Sequence, residues 1–167
     1  MLMKDWKYWV SGLGLAQHPE GGYYRELYKC SEIIEKDDLQ GDYDGDRNLA
    51  SSIYFLLPSN EVSHFHRLKS DELWYFHAGS SLTVYVIDLN GKLLEMKLGL
   101  DLEKGEQPQV IIPRGCIFGA VVNEEDSFSL VGCVVSPGFD FRDFELLSRA
   151  QLLKEYPQHE EIINRLT

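Results

Sequence analysis

Short runs of alternating apolar and polar residues, separated by turn-forming residues, extend from Ala50 towards the C-terminus and predict β structure with few interruptions. Asn90 and Gly91 predict a type I′ hairpin turn, because both residue types accept positive φ. Many short strands joined by turns indicate an all-β sandwich or barrel rather than an α/β fold. The predicted strands are Tyr23–Tyr28, Ser52–Leu57, the segment around His64, Glu72–His77, Leu82–Leu89, Lys92–Leu98, Gln109–Ile112, Phe118–Val122 and Phe128–Val135.

The two ends of the chain have helical patterns instead. Apolar residues recur at helical spacing between Lys4 and Leu15 and are followed by glycine, which predicts a short amphipathic helix. Ser148–Gln151 matches a capping box, and Pro157 divides the apolar stripe that follows, so we predict two short helices packed on the barrel. Without repeats or a linker, residues 1–167 are predicted to form a single domain.

The amino-acid composition limits the kinds of molecule that the protein is expected to bind. Sixteen Lys and Arg against 27 Asp and Glu give a net charge of −11, which opposes binding to nucleic acid or to anionic membranes. No window approaches the roughly 20 apolar residues of a membrane span, and Met1–Trp6 lacks the apolar core of a signal peptide. Cys30, Cys116 and Cys133 are widely spaced without a CxxC pair, so we expect reduced thiols in a cytoplasmic protein.

Two histidines and a glutamate carry the main candidate chemistry. Side chains alternate across a strand, so His64 and His66 are expected to share a face about 7 Å apart, with Glu72 on the next strand. Two imidazoles and one carboxylate with open positions suit iron, manganese or zinc, so these three are predicted as metal-ligating and catalytic residues. The other interpretation is hydrogen-bonded histidines inside a polar barrel. We expect His18 to lie in a turn and His77 on an outer strand face.

Three further residues are candidates for binding a substrate. If Glu72 points inward, period-two alternation directs Trp74 inward as well, and with Phe118 it would form an aromatic wall suited to a small organic ligand. Ordinary core packing is the alternative for both aromatic side chains. Arg25 offers two hydrogen bonds to an anionic substrate group, or else a surface or interface ion pair.

Several segments together resemble the cupin-5 group of the cupin superfamily, a domain of unknown function. The likeness covers most of the chain, from Leu13 to Tyr156. His64, His66, Glu72 and Gly79 resemble the first cupin motif, and Pro113–Gly115 followed by Phe118 resembles the second. The segments closest to the cupin-5 group are His18–Glu26, Ser70–Trp74, Pro113–Gly115 and Pro137–Glu145.

The resemblance implies a double-stranded β-helix, that is, an RmlC-like jelly-roll barrel with short N- and C-terminal helices, assembled as a homodimer. Phe118 stands where the second motif usually offers a histidine, so the resemblance implies at most three protein ligands for a metal. Some members of the group carry the label of predicted sugar epimerase, but a shared fold does not transfer a reaction.

Three functional hypotheses stay open at this point. The first is a barrel that binds a small polar organic molecule, with or without one divalent transition metal held by His64, His66 and Glu72. The second is a metal-free carbohydrate epimerase or isomerase in which His64 or His66 is the base and Tyr24 or Tyr85 the acid. The third is a ligand-binding or sensor module without enzymatic activity.

Overall fold

The structure is a computed structural model that describes residues 5–167, and Lys4, where the first helix was predicted to begin, lies outside the described residues. The helices are Trp6–Leu13 (α1), Arg149–Glu155 (α2) and Glu160–Arg165 (α3), and short 3-10 turns occur at Lys36–Asp38, Leu102–Lys104, Phe141–Asp143 and Pro157–His159. The strands are Ala16–Gln17 (β1), Tyr23–Lys29 (β2), Ile33–Ile34 (β3), Arg47–Asn48 (β4), Ser51–Pro58 (β5), Ser63–Arg67 (β6), Asp71–Gly79 (β7), Leu82–Ile87 (β8), Leu93–Leu98 (β9), Gln109–Ile112 (β10), Ile117–Val122 (β11), Phe128–Ser136 (β12) and Glu145–Leu146 (β13).

Two antiparallel sheets form the barrel. One has the strand order β1-β2-β5-β12-β7-β10 and the other the order β13-β6-β11-β8-β9, while β3 and β4 pair separately. The apolar side chains between the sheets form the main core, which includes Phe55, Trp74, Phe118 and Val131. This arrangement follows from the alternation in the sequence, because one face of each strand is apolar and must be buried against the other sheet.

The helices cover the outer faces of the barrel. Phe65 and Ile117 on the second sheet pack against α2 and α3 through Leu152, Ile163 and Leu166. Helix α2 begins with the predicted capping box, in which the Ser148 hydroxyl and the Gln151 side chain satisfy each other's backbone N–H groups. Helix α1 packs on the first sheet. Within residues 5–167, no helix is long and apolar enough to span a membrane.

The hairpin predicted at Asn90 and Gly91 is present, but its turn is not type I′. Gly91 has a φ of 78°, whereas Asn90 has no positive φ, which a type I′ turn requires. The Asp88 carboxylate instead accepts hydrogen bonds from the backbone N–H groups of Asn90 and Lys92, both at 2.9 Å. Asp88 thereby fixes a longer loop in which the glycine alone needs the left-handed conformation.

A buried ion pair holds in place a loop at one end of the barrel. We call this loop, residues 137–144, the strap. Arg47 donates from Nε and Nη2 to the two carboxylate oxygens of Asp143 at 2.6 and 2.7 Å. The two side chains are only 1% and 4% exposed, and Arg47 also donates to Asp44. The strap carries three aromatic residues, Phe139, Phe141 and Phe144, of which Phe141 is half exposed.

Removing the carboxylate of this pair should destabilise the protein strongly. Asp143→Ala leaves the Arg47 guanidinium buried without its main partner, so we expect the free energy of unfolding to fall by about 3–5 kcal/mol. Glu145→Ala is the matched control, because Glu145 pairs with Arg67 on the exposed surface and should cost less than about 1 kcal/mol. Urea unfolding measures both, and equal losses in the two variants would contradict the structural role of the buried pair.

Candidate functional site

A cavity of about 390 Å³ opens at the strap end of the barrel. The aromatic residues that line it are Tyr24, Phe55, Trp74, Phe139, Phe141 and Phe144, and Ile53, Leu68 and Val135 add aliphatic surface. Its polar groups include His18, Glu20, His66, Glu72 and Cys133. A mostly apolar pocket of this size with a few converging polar groups is typical of sites for small organic molecules.

A β-bulge in β6 decides which side chains enter the cavity. Phe118 pairs with His66, whereas Ala120 pairs with Ser63, so one additional residue of β6 is inserted between the two pairs. Ser63 and His66 are therefore directed to the barrel interior, while Phe65 packs in the outer core under the C-terminal helices. A Cβ on Gly119 would lie 2.6 Å from the carbonyl oxygen of Ser63, so the bulge requires glycine at this position.

The turn that contains Glu20 is fastened to the bulge. The backbone N–H of His64 donates to the Glu20 carbonyl oxygen at 2.7 Å, and His64 Nδ1 bonds to the same oxygen at 2.7 Å. Gly21 has a φ of 104°, and a Cβ there would lie 2.2 Å from the Val62 carbonyl oxygen. Only glycine permits this approach of the two segments, which brings the Glu20 side chain under His66.

Three titratable side chains meet at one oxygen atom. Glu20 Oε2 lies 3.1 Å from His66 Nε2 and 3.4 Å from His18 Nδ1. The other carboxyl oxygen of Glu20 accepts a hydrogen bond from the Ser63 hydroxyl at 2.8 Å. Glu20 and His66 are 6% and 2% exposed, so the cluster is shielded from water.

The hydrogen bonds of this cluster indicate how many protons it holds. His66 Nδ1 lies 2.7 Å from the His64 carbonyl oxygen, which only accepts, so Nδ1 carries hydrogen and Nε2 of the neutral ring is bare. His18 Nδ1 accepts from the backbone N–H of Glu20 at 3.2 Å and is bare too. An ionised Glu20 would therefore face two lone pairs. The contact between Glu20 and His66 needs one proton, which is shared by the two side chains.

Burial favours the arrangement in which Glu20 carries that proton. Loss of hydration, strengthened by the Glu72 carboxylate, raises the pKa of the Glu20 carboxyl well above its ordinary value. Burial also lowers the pKa of His66 to about 3 and that of His18 to about 4. These shifts favour a neutral Glu20 that donates to a neutral His66.

Glu72 has no such partner. It lies on β7 with its side chain towards the cavity, as predicted, and burial raises its pKa to about 7. The neighbouring indole of Trp74 and the thiol of Cys133 oppose this rise, but Trp74 Nε1 has no well-formed hydrogen bond. Among residues 5–167, no Lys, Arg or His side chain forms an ion pair with Glu72, so its charge near neutral pH is balanced by no cation.

The predicted site residues fall into two groups. His66, Glu72 and Trp74 line the cavity, and their catalytic and binding roles stay predictions. His64 does not line it, because the bulge breaks the expected alternation and its Nδ1 binds the Glu20 backbone. The expectation that both imidazoles share one face is corrected accordingly.

Arg25 and Phe118 also lie apart from the cavity. Arg25 is next to the inward-facing Tyr24, so it points outward, where its Nη1 donates to the Leu13 carbonyl oxygen at 2.9 Å. The predicted substrate-binding role of Arg25 therefore has no geometric support. Phe118 is core packing: it is 1% exposed and lies against the His66 ring with a centroid distance of 4.0 Å. Phe118 packs against the His66 ring and restricts its movement.

The predicted metal site is not confirmed. Among residues 5–167, no group of three or more His, Cys, Asp or Glu side chains is arranged to hold a metal ion. His64 Nδ1 is bound to a backbone carbonyl, His66 Nε2 faces Glu20, and Phe118 offers no donor atom. The residues present do not fit iron, manganese or zinc at the position that the motif predicted.

Two functional candidates were missed at the level of sequence. His18 lies at the predicted turn, but its side chain is 5% exposed and sits in the cavity, with its ring 4.6 Å from that of Tyr24. Glu20 is part of the His18–Glu26 segment that carries the cupin-5 resemblance, and this was the available signal. His77 is on the outer strand face, as predicted.

Comparison with known proteins identifies the family. Residues 7–147 match the family described as Cupin superfamily (DUF985), and the chain belongs to this family. It is 30% identical to the uncharacterized protein YML079W of Saccharomyces cerevisiae, over 92% of this chain and 77% of that protein. A crystal structure of protein SO0799 from Shewanella oneidensis is 51% identical, with a TM-score of 0.87 and 99% and 98% of the two chains covered.

Other solved structures place the fold more widely. A hypothetical protein from Leishmania major is 37% identical, with a TM-score of 0.89 and 98% and 99% of the two chains covered. Oxalate decarboxylase from Bacillus subtilis is 18% identical, with a TM-score of 0.56, over 90% of this chain and 36% of that one. This last likeness shows the fold alone. The cupin jelly roll with short terminal helices is thus confirmed.

The raised pKa of Glu72 predicts a specific pH dependence of stability. The folded state holds the Glu72 proton more tightly than the unfolded chain, so protonated Glu72 contributes to the stability of the folded state. This contribution is fully present below pH 4.5 and is lost as pH rises to about 7. The loss amounts to about 3 kcal/mol in the free energy of unfolding. Glu72→Gln cannot ionise and should become more stable relative to the native chain as pH rises from 4.5 to 8.

Urea unfolding at several pH values measures this difference. Glu95→Gln, which removes an exposed carboxylate on β9, is the control and should follow the native chain. Parallel stability curves for the native chain and Glu72→Gln would show that Glu72 titrates normally, contrary to the prediction.

Proposed function

We propose that this cupin-family protein binds a small polar organic molecule in the barrel cavity and transfers protons to and from it without a resident metal. The observation that carries the proposal is the 3.1 Å contact between Glu20 Oε2 and His66 Nε2, in a cavity that a second buried carboxyl, Glu72, also lines. Acid–base enzymes need one group that gives a proton and another that takes one near neutral pH. Glu20 and Glu72 meet this need in one cavity.

The proposed step is enolisation of a carbonyl compound. Ionised Glu72 takes a proton from the carbon next to the carbonyl, and the electron pair of that C–H bond forms the carbon–carbon double bond of an enol. The carbonyl oxygen takes the proton held by Glu20 and His66. When Glu72 returns a proton to the same carbon or the neighbouring one and an enol oxygen gives a proton back to Glu20, both groups are restored and the product is exchanged or isomerised.

His18 and His66 contribute in different ways. His66 lies against Phe118 and is bound to a backbone carbonyl, so its ring is held in place to accept or return the proton of Glu20. His18 Nδ1 lies 3.4 Å from the same carboxyl oxygen, but its lone pair already accepts the backbone N–H of Glu20, so His18 offers no proton to this carboxyl. Both are positioning residues that keep Glu20 protonated near neutral pH.

This proposal is nearest to the second of the sequence-based hypotheses, a metal-free epimerase or isomerase, with different groups in the acid and base roles. Tyr24 lines the cavity, whereas Tyr85 packs in the outer core beneath the helices. The pocket size suits a small molecule, but no observation selects a sugar. The homodimer, the cytoplasmic location, the absence of nucleic-acid partners and the single domain all stay predictions.

Deuterium incorporation from solvent tests the proposed step. We would incubate the protein in deuterated buffer with hydroxyacetone, dihydroxyacetone and phenylacetone and follow exchange next to the carbonyl by proton NMR. We expect at least one compound to exchange about tenfold faster than in buffer, since positioned acid–base groups contribute on the order of 10² or more. Glu20→Gln and Glu72→Gln should each abolish the acceleration.

His77→Phe is the control, because His77 lies on the outer face and should leave the exchange rate unchanged. Exchange at the buffer rate with all three compounds would count against proton transfer and favour a binding module without turnover. Acceleration that survives both Gln variants would assign the chemistry to other groups.

A further inference from the structure

The Glu72 carboxyl is a buried acid without a counter-ion. It is 7% exposed, and the side chains that act on it within residues 5–167 are the Trp74 indole, the Cys133 thiol and the Glu20 carboxyl, none of which is a cation. The other carboxyl at the cavity base, Glu20, is satisfied by Ser63 and His66. A buried carboxylate without a partner is costly, so such a group either stays protonated or is paired with a cation.

Aromatic side chains of the kind that recognise organic cations line the same cavity as Glu72. Phe55 and Trp74 have ring centroids 5.5 Å apart, and Phe139 and Phe141 are 4.9 Å apart at nearly right angles. Aromatic faces attract ammonium groups, particularly where water is excluded. Rings and a carboxylate thus offer one cation both a counter-charge and π faces.

The charged side chains that line the cavity disfavour the binding of an anion. Lys29 is the one Lys or Arg among its described lining residues, and Glu26 and Asp140 lie there as well. Asp140 is already paired with Arg142. Arg25, the predicted anion clamp, points away from the cavity. A carboxylate or phosphate ligand would face Glu72 with little compensation.

We infer that the cavity selects a small organic ammonium ion with a planar apolar body, and that Glu72 is its counter-ion. The inference rests on the proposed function, because the ligand enters the same cavity. An ammonium group bound to Glu72 would place the carbon attached to its nitrogen next to this carboxylate. An amine that also carries a carbonyl group is then the substrate class. Binding and proton transfer are separate measurements, so one can fail while the other holds.

The test compares three molecules of equal shape and different charge. Benzylammonium, benzyl alcohol and benzoate would be titrated into the protein at pH 8 by isothermal calorimetry, where the amine is protonated and Glu72 ionised. We expect benzylammonium to bind at least about tenfold more tightly than benzoate, with benzyl alcohol between them. Glu72→Gln should lower the affinity for benzylammonium about tenfold and change that for benzyl alcohol by less than about twofold.

Glu95→Gln is again the matched control, because it removes one exposed negative charge far from the cavity lining. Benzoate binding as tightly as benzylammonium would overturn the inference, as would an unchanged preference in Glu72→Gln or no binding of any probe at 10 mM, roughly the weak limit for a ligand of this size. None of these results bears on deuterium exchange. Selective benzylammonium binding without exchange would sustain the ligand class and reject the proton transfer.

Discussion

The docking of the Glu20 turn on the bulged strand β6 is the contact on which the rest of the site depends. The Glu20 carbonyl oxygen receives the backbone N–H of His64, while the Glu20 side chain reaches the Ser63 hydroxyl and the His66 ring. One residue thereby joins a loop near the N-terminus to the barrel interior through both its backbone and its side chain. Gly21 makes the approach sterically feasible.

This contact explains why the cavity holds a neutral polar cluster rather than a metal-binding set. The bulge removes His64 from the inner face and brings in Ser63, and the turn then adds Glu20. An acid between two bare imidazole nitrogens keeps its proton. Of the two buried carboxyls in the cavity, Glu72 is therefore the one to which we assign a negative charge, and it has no cationic partner within the described residues.

Most of the fold follows from local patterns, because the long strands and the helices depend on periodicity that the sequence displays, whereas the two-residue strands β1, β3, β4 and β13 were not predicted. The capping box at Ser148 is an example, since it depends on two residues three positions apart. The site depends on register instead. A bulge at His64 is invisible in an alternating sequence, since its cause includes Gly119, more than 50 residues away on the paired strand.

The same limit applies to the turn. The sequence of His18–Gly22 identifies a turn, but the direction of the Glu20 side chain is set by tertiary contacts. Residues named from strand parity alone were placed correctly where the strand is regular, as at Trp74, and misplaced where it is not, as at His64.

The most direct test of the shared proton is nitrogen-15 NMR of the histidine rings between pH 5 and 8. The structure predicts that His66 stays neutral with hydrogen on Nδ1, that His18 stays neutral with hydrogen on Nε2, and that neither ring titrates in this range. Spectra of Glu20→Gln would assign the effect to the carboxyl. A His66 ring that titrates near 6.5, or that is doubly protonated at pH 7, would contradict a neutral, protonated Glu20 and with it the proposed acid.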